Sequence, residues 1–304
     1  MTLDIMVPYF GPLGLLQVTV RSVLAQEDVH WSLTVVDDAY PDAAVAAWFM
    51  TVRDDRIRYT RNKVNLGANR NFQRCLDLVE NDLVVIVGCD DVLLPNYVST
   101  IRASYSAHPG VAMVQPRVQV IDSDGFPSRA LADIVKRRVY TPQHHEYVEL
   151  SGQDLAVSLL RGNWLYFPSV CWRSAAILGT GFRAGLDTTQ DLALVLDLVG
   201  AGETLLLVPV ACFQYRRHAA SESSWRGAVG TRFQEERGFF LDVAERMEAR
   251  GWYHAAHAAR WHISSRLNAM SVLPHAVRNR QGSVVRSLAA HAVGPPRRRK
   301  LDGL

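Results

Sequence analysis

The sequence predicts an α/β fold in which a mostly parallel sheet is flanked by helices and followed by a helical C-terminal extension. Three observations predict it. In the first 120 residues, short apolar runs alternate with stretches that have helical periodicity. These runs are continuously apolar, which is typical of parallel strands covered on both faces. From about Val229 onward only the helical pattern remains.

The first half of the chain supplies the strands and helices of this prediction in order. Four apolar runs predict strands, and between them the apolar spacing i, i+3, i+4, i+7 predicts helices. The strands are expected at Leu3–Val7, Leu33–Val36, Ile57–Thr60 and Leu83–Val87, and the helices at Leu15–Gln26, after a cap at Asp42, at Asn69–Val79 and from Pro95.

The second half has a weaker pattern. Residues 123–150 show little periodicity and predict an irregular polar insertion, such as a lid over a site. A helix is expected at Asp191–Val199, a strand at Thr204–Val208 and a helix over Trp252–Met270. We expect a domain of residues 1–220, a helical region of residues 221–294 and a basic tail of residues 295–304.

Composition and charge exclude several classes of protein. The 304 residues are 48% hydrophobic and 21% charged, which excludes a disordered chain and a disulfide-stapled mini-protein. The net charge of +3 lies in Arg297–Leu304, so the body lacks the basic excess of a nucleic-acid binder. We therefore expect no nucleic-acid partner.

The cysteines and the apolar runs predict the compartment. The four cysteines are not spaced like zinc ligands, and we expect buried free thiols in a reducing compartment. No signal peptide and no apolar run of membrane-spanning length is present, so the sequence predicts a cytoplasmic protein.

Polar clusters follow three of the predicted strands. Pro8-Tyr9, Asp37-Asp38 and Asp90-Asp91 stand where ligands bind in parallel sheets, beyond the carboxyl ends of the strands. Adjacent carboxylates repel each other, and a hard divalent cation such as Mn²⁺ or Mg²⁺ would relieve the repulsion at Asp90-Asp91. Solvated turn carboxylates are the alternative there. Asp37-Asp38 could accept hydrogen bonds from a ribose or a base, or could serve as turn and capping residues.

The segment Asn65–Arg70 predicts an anion site. Gly67 permits a tight turn, and the helix N-terminus that follows attracts anions. Arg70 is unfavourably placed there, because its positive charge opposes the helix dipole. A negatively charged ligand would explain its position, and the alternative is an arginine that is simply solvated.

Together these segments resemble the family 2 glycosyltransferases, which are inverting enzymes with the GT-A (Rossmann-like) fold. The order and spacing match from residue 1 to about residue 220. The residues that carry the resemblance are Val7-Pro8-Tyr9-Phe10, Ser22–Gln26, Val35–Asp38, Asn65–Asn71 and Cys89–Pro95.

The resemblance implies the roles of the donor-site residues. Pro8 and Tyr9 would flank the base, and Asp37 and Asp38 would contact the base and the ribose. The segment containing Asn65, Gly67 and Arg70 would approach the nucleotide or its diphosphate. Asp90 would be the metal-binding aspartate of the DxD motif. Gly88 replaces the first acid of that motif, and Asp91 or Asp38 could compensate for it.

The resemblance also implies a catalytic base and an acceptor side. Asp191 stands at the start of a later helix, where the family has its base, and Asp187 competes for the role. His218 would complete the metal coordination or contact the diphosphate. Asn163 and Trp164 would lie on the acceptor side.

The expected function is metal-assisted, inverting transfer of a sugar from a nucleoside-diphosphate donor to an acceptor hydroxyl. UDP is the favoured carrier, and the acceptor is a glycan, a lipid-linked molecule or a small molecule. The alternatives are a polyprenyl-phosphate sugar synthase and a non-catalytic nucleotide-sugar-binding module. The tail at Arg297–Lys300 could contact anionic lipid at the inner membrane face, and the helical region could cover the acceptor site or form a homodimer.

Overall fold

In a computed structural model of the chain, residues 1–128, 130–217 and 231–295 are described. They divide into two compact units. The first comprises Met1–Asp133, Pro142–Ser151 and Leu165–Arg217, and the second comprises Ile134–Thr141, Gly152–Trp164 and the chain from residue 218 onward.

The first unit contains the sheet, which has nine strands within the described residues. The strands are β1 (Leu3–Tyr9), β2 (Trp31–Asp37), β3 (Ile57–Arg61), β4 (Leu83–Ile86), β5 (Val92–Leu93), β6 (Met113–Ile121), β7 (Val148–Leu150), β8 (Cys171–Arg173) and β9 (Leu205–Arg216).

Their order in the sheet is β3-β2-β1-β4-β8-β6-β9-β5, with β7 beside β9. Strands β1 to β4 are mutually parallel, and β9 runs parallel to β6. Strands β5, β7 and β8 pair antiparallel with their neighbours. The prediction of a mostly parallel sheet is confirmed.

Helices cover this sheet because the central strands are apolar on both faces. Strands β1 and β4 are almost entirely buried, as their unbroken apolar sequences predict. The helices up to residue 200 are α1 (Leu13–Leu24), α2 (Ala44–Phe49), α3 (Ala68–Leu76), α4 (Tyr97–Ala107), α5 (Leu131–Val135), α6 (Gly152–Arg161), α7 (Ser174–Thr180) and α8 (Gln190–Gly200), with a π-helix at Lys136–Tyr140 and a 3₁₀ turn at Phe167–Ser169.

The insertion predicted to be irregular contains regular structure. Between residues 123 and 150 the chain forms α5, the π-helix and β7, so the prediction of a wholly irregular loop is wrong. These elements are three to five residues long, which is too short for periodicity to detect. Strand β7 is ordered by its antiparallel pairing with β9.

Two further predictions differ from the structure in length. Strand β9 continues to Arg216, well beyond the predicted end at Val208, because it pairs along its whole length with β6. The helix predicted over Trp252–Met270 is two helices, interrupted at His262, whose φ of 31° is left-handed.

The second unit is helical, as predicted. Besides α6 it contains α9 (Thr231–Ala249), α10 (Tyr253–Trp261), α11 (Ile263–Arg278) and α12 (Gly282–Val293). A core of Phe233, Ala269, Ala276 and Leu288 joins α9, α11 and α12. The domain boundary predicted at residue 220 lies outside the described residues and stays a prediction. None of the helices in the described ranges has the length and apolar character needed to cross a bilayer.

Candidate active site

The carboxyl ends of β1 and β2 meet at one edge of the sheet. Tyr9 pairs in register with Asp37, and the backbone N–H of Asp38 donates to the Tyr9 carbonyl at 2.9 Å. Tyr9 is fully buried, and its hydroxyl donates to the Gly11 carbonyl. Its ring packs edge-on against Tyr40, with centroids 5.4 Å apart. Tyr9 therefore has a structural role at this edge.

The exposed aromatic side chain at the same edge is Phe10. It is 53% exposed and packs edge-on against Tyr40, with centroids 5.2 Å apart. Pro8 is partly buried. The structure thus brings Pro8 and Tyr9 to the predicted edge and adds Phe10 and Tyr40, to which the sequence reasoning assigned no role. Their roles beside a base stay predictions.

Asp37 is fully buried and connects the end of β2 to the turn that follows it and to the neighbouring strand β3. One carboxylate oxygen accepts from the Tyr40 backbone N–H at 2.7 Å. The other accepts from the Tyr59 hydroxyl and from Arg61 Nη1, the latter at 3.0 Å. Burial is the main cause that raises the pKa of the Tyr59 hydroxyl to about 12, and its hydrogen bond to Asp37 is the next.

Asp38 shapes the loop that leads into α3. Its carboxylate accepts from the Asn62 side chain at 2.8 Å and from the backbone N–H groups of Leu66 and Gly67 at 2.8 and 2.9 Å. Gly67 has a φ of 82°, a left-handed conformation that favours glycine. This positioning role is not predictable from the sequence, because nothing in the spacing of residues 38 and 67 shows that they are in contact.

The first turn of α3 contains the predicted cation. Arg70 is exposed there, and among the described residues it has no acidic partner. Asn65, also exposed, accepts from the Gly67 N–H at 3.0 Å. The neighbouring Asn69 is buried and donates to the carbonyls of Arg183 and Leu186, which ties α3 to the loop preceding α8.

The pair Asp90-Asp91 lies at the end of β4, which is parallel to β1 and adjacent to it. Asp91 is 1% exposed, and one of its oxygens accepts from the Arg216 backbone N–H at 2.9 Å. Its other oxygen, Oδ2, is buried without a hydrogen-bond partner. Burial, and then repulsion by Asp90, raise the pKa of the Asp91 carboxyl well above its usual range.

Arg216 holds the backbone around this pair in place. Its guanidinium donates to the Asp90 carbonyl at 2.8 Å and to the carbonyls of Asp122 and Ser123 at 3.1 and 3.0 Å. The sequence reasoning assigned a role to His218 in this segment and none to Arg216. His218 lies outside the described residues, so its predicted contact with metal or diphosphate stays a prediction.

Gly88 is required by the two carboxylates that follow it. A Cβ atom at Gly88 would lie 2.6 Å from Asp91 Oδ2 and 2.9 Å from Asp90 Oδ1. The space beside residue 88 is therefore occupied by the Asp91 carboxylate. This packing explains why the chain has no acid at the first position of the motif.

The residues at this edge fit a divalent cation that is held partly by the protein and partly by the phosphates of a bound substrate. In the part of the chain that the structure describes, no three His, Cys, Asp or Glu side chains form a metal cluster. Mg²⁺ is commonly bound by one or two carboxylates together with substrate phosphates. Asp90 and the unpartnered oxygen of Asp91 match that pattern.

Asp191 lies in the first turn of α8, as predicted. It is partly buried, and its Oδ1 accepts from the Leu192 N–H at 2.7 Å. The competing Asp187 is exposed in the preceding loop. Both belong to the first unit, and the loop that contains Asp187 is anchored to α3 by Asn69.

Comparison with known proteins identifies the family. The sequence model described as "Glycosyl transferase family 2" matches residues 4–172, which is more than half of the chain. The chain belongs to glycosyl transferase family 2. The matched range includes the ends of β1, β2 and β4 and the whole of α3.

Relatives of this glycosyltransferase support the assignment. An uncharacterized protein, MT1568, of Mycobacterium tuberculosis is 28% identical over 242 residues, which cover 74% of this chain and 69% of that protein. Residues 1–349 of S. aureus TarS in complex with UDP-GlcNAc superpose with a TM-score of 0.58 at 12% identity, covering 97% of this chain and 93% of that one. The same fragment with UDP gives 0.59 at 12% identity, covering 96% and 90%. At this identity, the likeness to TarS shows the shared GT-A fold.

The two residues predicted for the acceptor side of this glycosyltransferase lie in the second unit. Trp164 is fully buried, and its indole N–H donates to Ser158 Oγ at 3.0 Å, which is a packing role common for tryptophan. Asn163 lies beside it in the sequence. The predicted contact of Asn163 and Trp164 with an acceptor stays a prediction.

Proposed function

We propose that this glycosyltransferase transfers a sugar from a nucleoside-diphosphate donor, with UDP as the favoured carrier, to an acceptor hydroxyl with inversion. The observation that carries the proposal is the buried, unpartnered oxygen of Asp91 beside Asp90, at the edge where β1, β2 and β4 end. A pair of adjacent carboxylates, one of them buried, is stabilised by a cation, and the diphosphate of a donor supplies further oxygen ligands for that cation. The structure of TarS with UDP-GlcNAc supports the choice of UDP.

The chain's own groups provide the rest of the donor site. Phe10 and Tyr40 offer aromatic faces for a base, and Asp38 holds the loop whose N–H groups precede α3. Arg70 and the positive end of α3 would attract the diphosphate. Asp90 and Asp91 would hold Mn²⁺ or Mg²⁺. When bound, that ion would neutralise charge on the leaving diphosphate.

Asp191 is the proposed general base. Its carboxylate would remove the proton of the acceptor hydroxyl while that oxygen forms a bond to the anomeric carbon. The bond from the anomeric carbon to the diphosphate breaks in the same step, and the nucleoside diphosphate leaves with the electron pair. A single displacement of this kind converts an α-linked donor into a β-linked product.

Replacing the base tests this assignment. For Asp191→Asn we expect loss of at least about a hundredfold in transfer rate, with donor affinity unchanged, because the amide cannot accept the proton. Product formation and nucleotide titration measure the two effects. Asp187→Asn is the matched control, since Asp187 is exposed in the loop preceding the same helix. Retained turnover in Asp191→Asn, or equal loss in both variants, would contradict the assignment.

The donor class is tested by thermal unfolding with UDP, GDP and dTDP, each with and without Mn²⁺. A nucleotide present at about 100 times its Kd should stabilise the protein by roughly 2.7 kcal/mol. We expect a shift with UDP that increases with Mn²⁺, and loss of that increase in Asp90→Asn. A metal-dependent shift with GDP or dTDP instead would reassign the carrier, and the absence of any shift would reject the donor site.

A further inference from the structure

The last 56 residues of the chain differ strongly in charge from the first 248. From residue 249 onward the sequence has ten basic side chains and one acidic one, Asp302, whereas the first 248 residues have 23 basic and 29 acidic side chains. Between residues 249 and 300 there is no aspartate or glutamate at all. The small net charge of the whole chain conceals this division, of which the basic tail predicted at residues 295–304 is only the last part.

An apolar stripe runs along helix α11 in the same region. Ile263, Leu267, Met270 and Val277 are each between 52% and 59% exposed. They are separated by four, three and seven residues, and Pro274, also exposed, fills the last interval. At 3.6 residues per turn these five side chains fall within an arc of about 80°. We call this set the α11 stripe.

The opposite side of α11 provides the packing that holds the helix in its unit. Ser265, Ala269 and Ala276 are buried, and Ala269 and Ala276 pack in the core with Phe233 and Leu288. The α11 stripe therefore contributes nothing to that core. Four large apolar residues exposed in one row on one helix are more than scattered surface residues, and such rows mark interaction sites.

Aromatic and basic side chains flank the stripe in sequence, one before its first residue and two after its last. Arg278 lies at the end of α11 and Arg280 in the following turn, and both are exposed. Trp261, 41% exposed, comes two residues before the stripe begins. A helix with an apolar face, basic residues and an adjacent tryptophan is typical of segments that lie in the surface of a membrane.

We propose that the α11 stripe binds the surface of a membrane containing anionic lipids, with the helix lying in the plane of the interface. Charge selects this partner over a second copy of the chain, because pairing two stripes would bring together two segments, residues 249–295 of each chain, that have six basic and no acidic residues each. The exposed apolar residues favour lipid over nucleic acid, because binding to nucleic acid depends mainly on basic side chains and would leave the apolar residues exposed. This surface is distinct from the tail at Arg297–Lys300.

Vesicle flotation of the full chain tests the proposal. We expect binding to phosphatidylcholine vesicles that contain about one-third phosphatidylglycerol, weak binding to phosphatidylcholine alone, and loss of binding at high salt. Leu267→Gln/Met270→Gln should reduce the binding about tenfold or more, because it removes apolar groups from the stripe. Val29→Gln/Met50→Gln is the matched control, since both residues are exposed in the first unit.

A second pair of variants tests the basic component. Arg278→Gln/Arg280→Gln should weaken binding to anionic vesicles, whereas Arg21→Gln/Arg53→Gln, which removes two exposed charges from the first unit, should not. Circular dichroism and thermal unfolding establish that each variant is folded. None of the four variants alters a proposed donor residue, so UDP-induced stabilisation should be unchanged in all four, which separates this proposal from the proposed function.

Four outcomes would overturn the proposal. The first is failure of the unaltered protein to bind anionic vesicles, and the second is unchanged binding by Leu267→Gln/Met270→Gln. The third is a dimer in sedimentation velocity that this variant disrupts, which would assign the stripe to self-association. The fourth combines two results: the unaltered protein binds a DNA oligomer tightly, and vesicle binding is lost only when the four basic residues at Arg297–Lys300 are replaced by glutamine. That outcome would assign the binding to the basic tail.

Discussion

The glycine at position 88 and the aspartate at position 91 determine each other's environment. The Asp91 carboxylate lies where the β-carbon of residue 88 would be, and its unpartnered oxygen is only 2.6 Å from that position. A family member with an acid at this position needs a different arrangement of the second carboxylate. The departure from the motif therefore changes the shape of the site around Asp90 and does not simply delete a ligand.

Gly88→Ala should destabilise the protein by about 1–3 kcal/mol, because the methyl group would displace one of two buried or partly buried carboxylates. The midpoint of urea unfolding measures this loss. Gly14→Ala in helix α1 is the control, since no atom lies within 4 Å of its would-be Cβ, and alanine there should raise stability by roughly 0.4–1 kcal/mol. Equal stability of the two variants would contradict the steric explanation.

At the scale of elements, α9, α11 and α12 share a buried polar cluster. The Ser265 hydroxyl donates to Glu236, so the His291 Nε2–H must donate to the Ser265 oxygen, at 2.7 Å. His262 stacks on Phe240, with ring centroids 5.1 Å apart. Burial, together with the nearby charges of Arg266 and Arg237, lowers the pKa of both histidines to about 4.

These two histidines should make the helical unit sensitive to acid. Their pKa is about 4 in the folded chain and 6.5 when unfolded, so the unfolded chain binds more protons between those values. Stability is then fully present above pH 6.5 and falls as the pH decreases toward 4, by up to about 3 kcal/mol for each histidine. Urea unfolding at several pH values measures this slope.

The matched variants for this pH effect are His291→Gln and His257→Gln. The first removes one buried imidazole and should reduce the slope, whereas His257 is exposed, and its replacement should leave the slope unchanged. Loss of stability below pH 6.5 that is identical in both variants and in the unaltered protein would assign the acid sensitivity to other groups.

At the scale of the whole molecule, the four cysteines are free thiols, as predicted. Cys75, Cys171 and Cys212 are buried, and burial, with a further contribution from Asp90, raises the pKa of the partly exposed Cys89 to about 12. Since the thiolate is the reactive form, we expect fewer than one thiol to react with an aromatic disulfide reagent within minutes in the native protein. All four should react after denaturation. Rapid reaction of two or more thiols in the native state would contradict this prediction.

The sequence by itself determined the α/β class, the parallel strands from Leu3 to Ile86 and the edge at which their polar residues gather. These features depend on local apolar patterning and on the rule that parallel strands end on the same side. The spacing of Asp37-Asp38, Asn65–Asn71 and Asp90-Asp91 was sufficient to identify the family, which the family comparison confirmed.

Only the tertiary structure decided which of these residues are exposed at this edge and which are buried in support of the fold. Asp38 anchors the loop at Gly67, Tyr9 is buried against Tyr40, and Arg216 binds the backbone of a strand end 126 residues away in sequence. The same holds for the α11 stripe, since only packing shows that Ala269 and Ala276 face the core while Leu267 and Met270 are exposed. Contacts between residues far apart in the chain have no signature in local periodicity, and they determine the shape of this site.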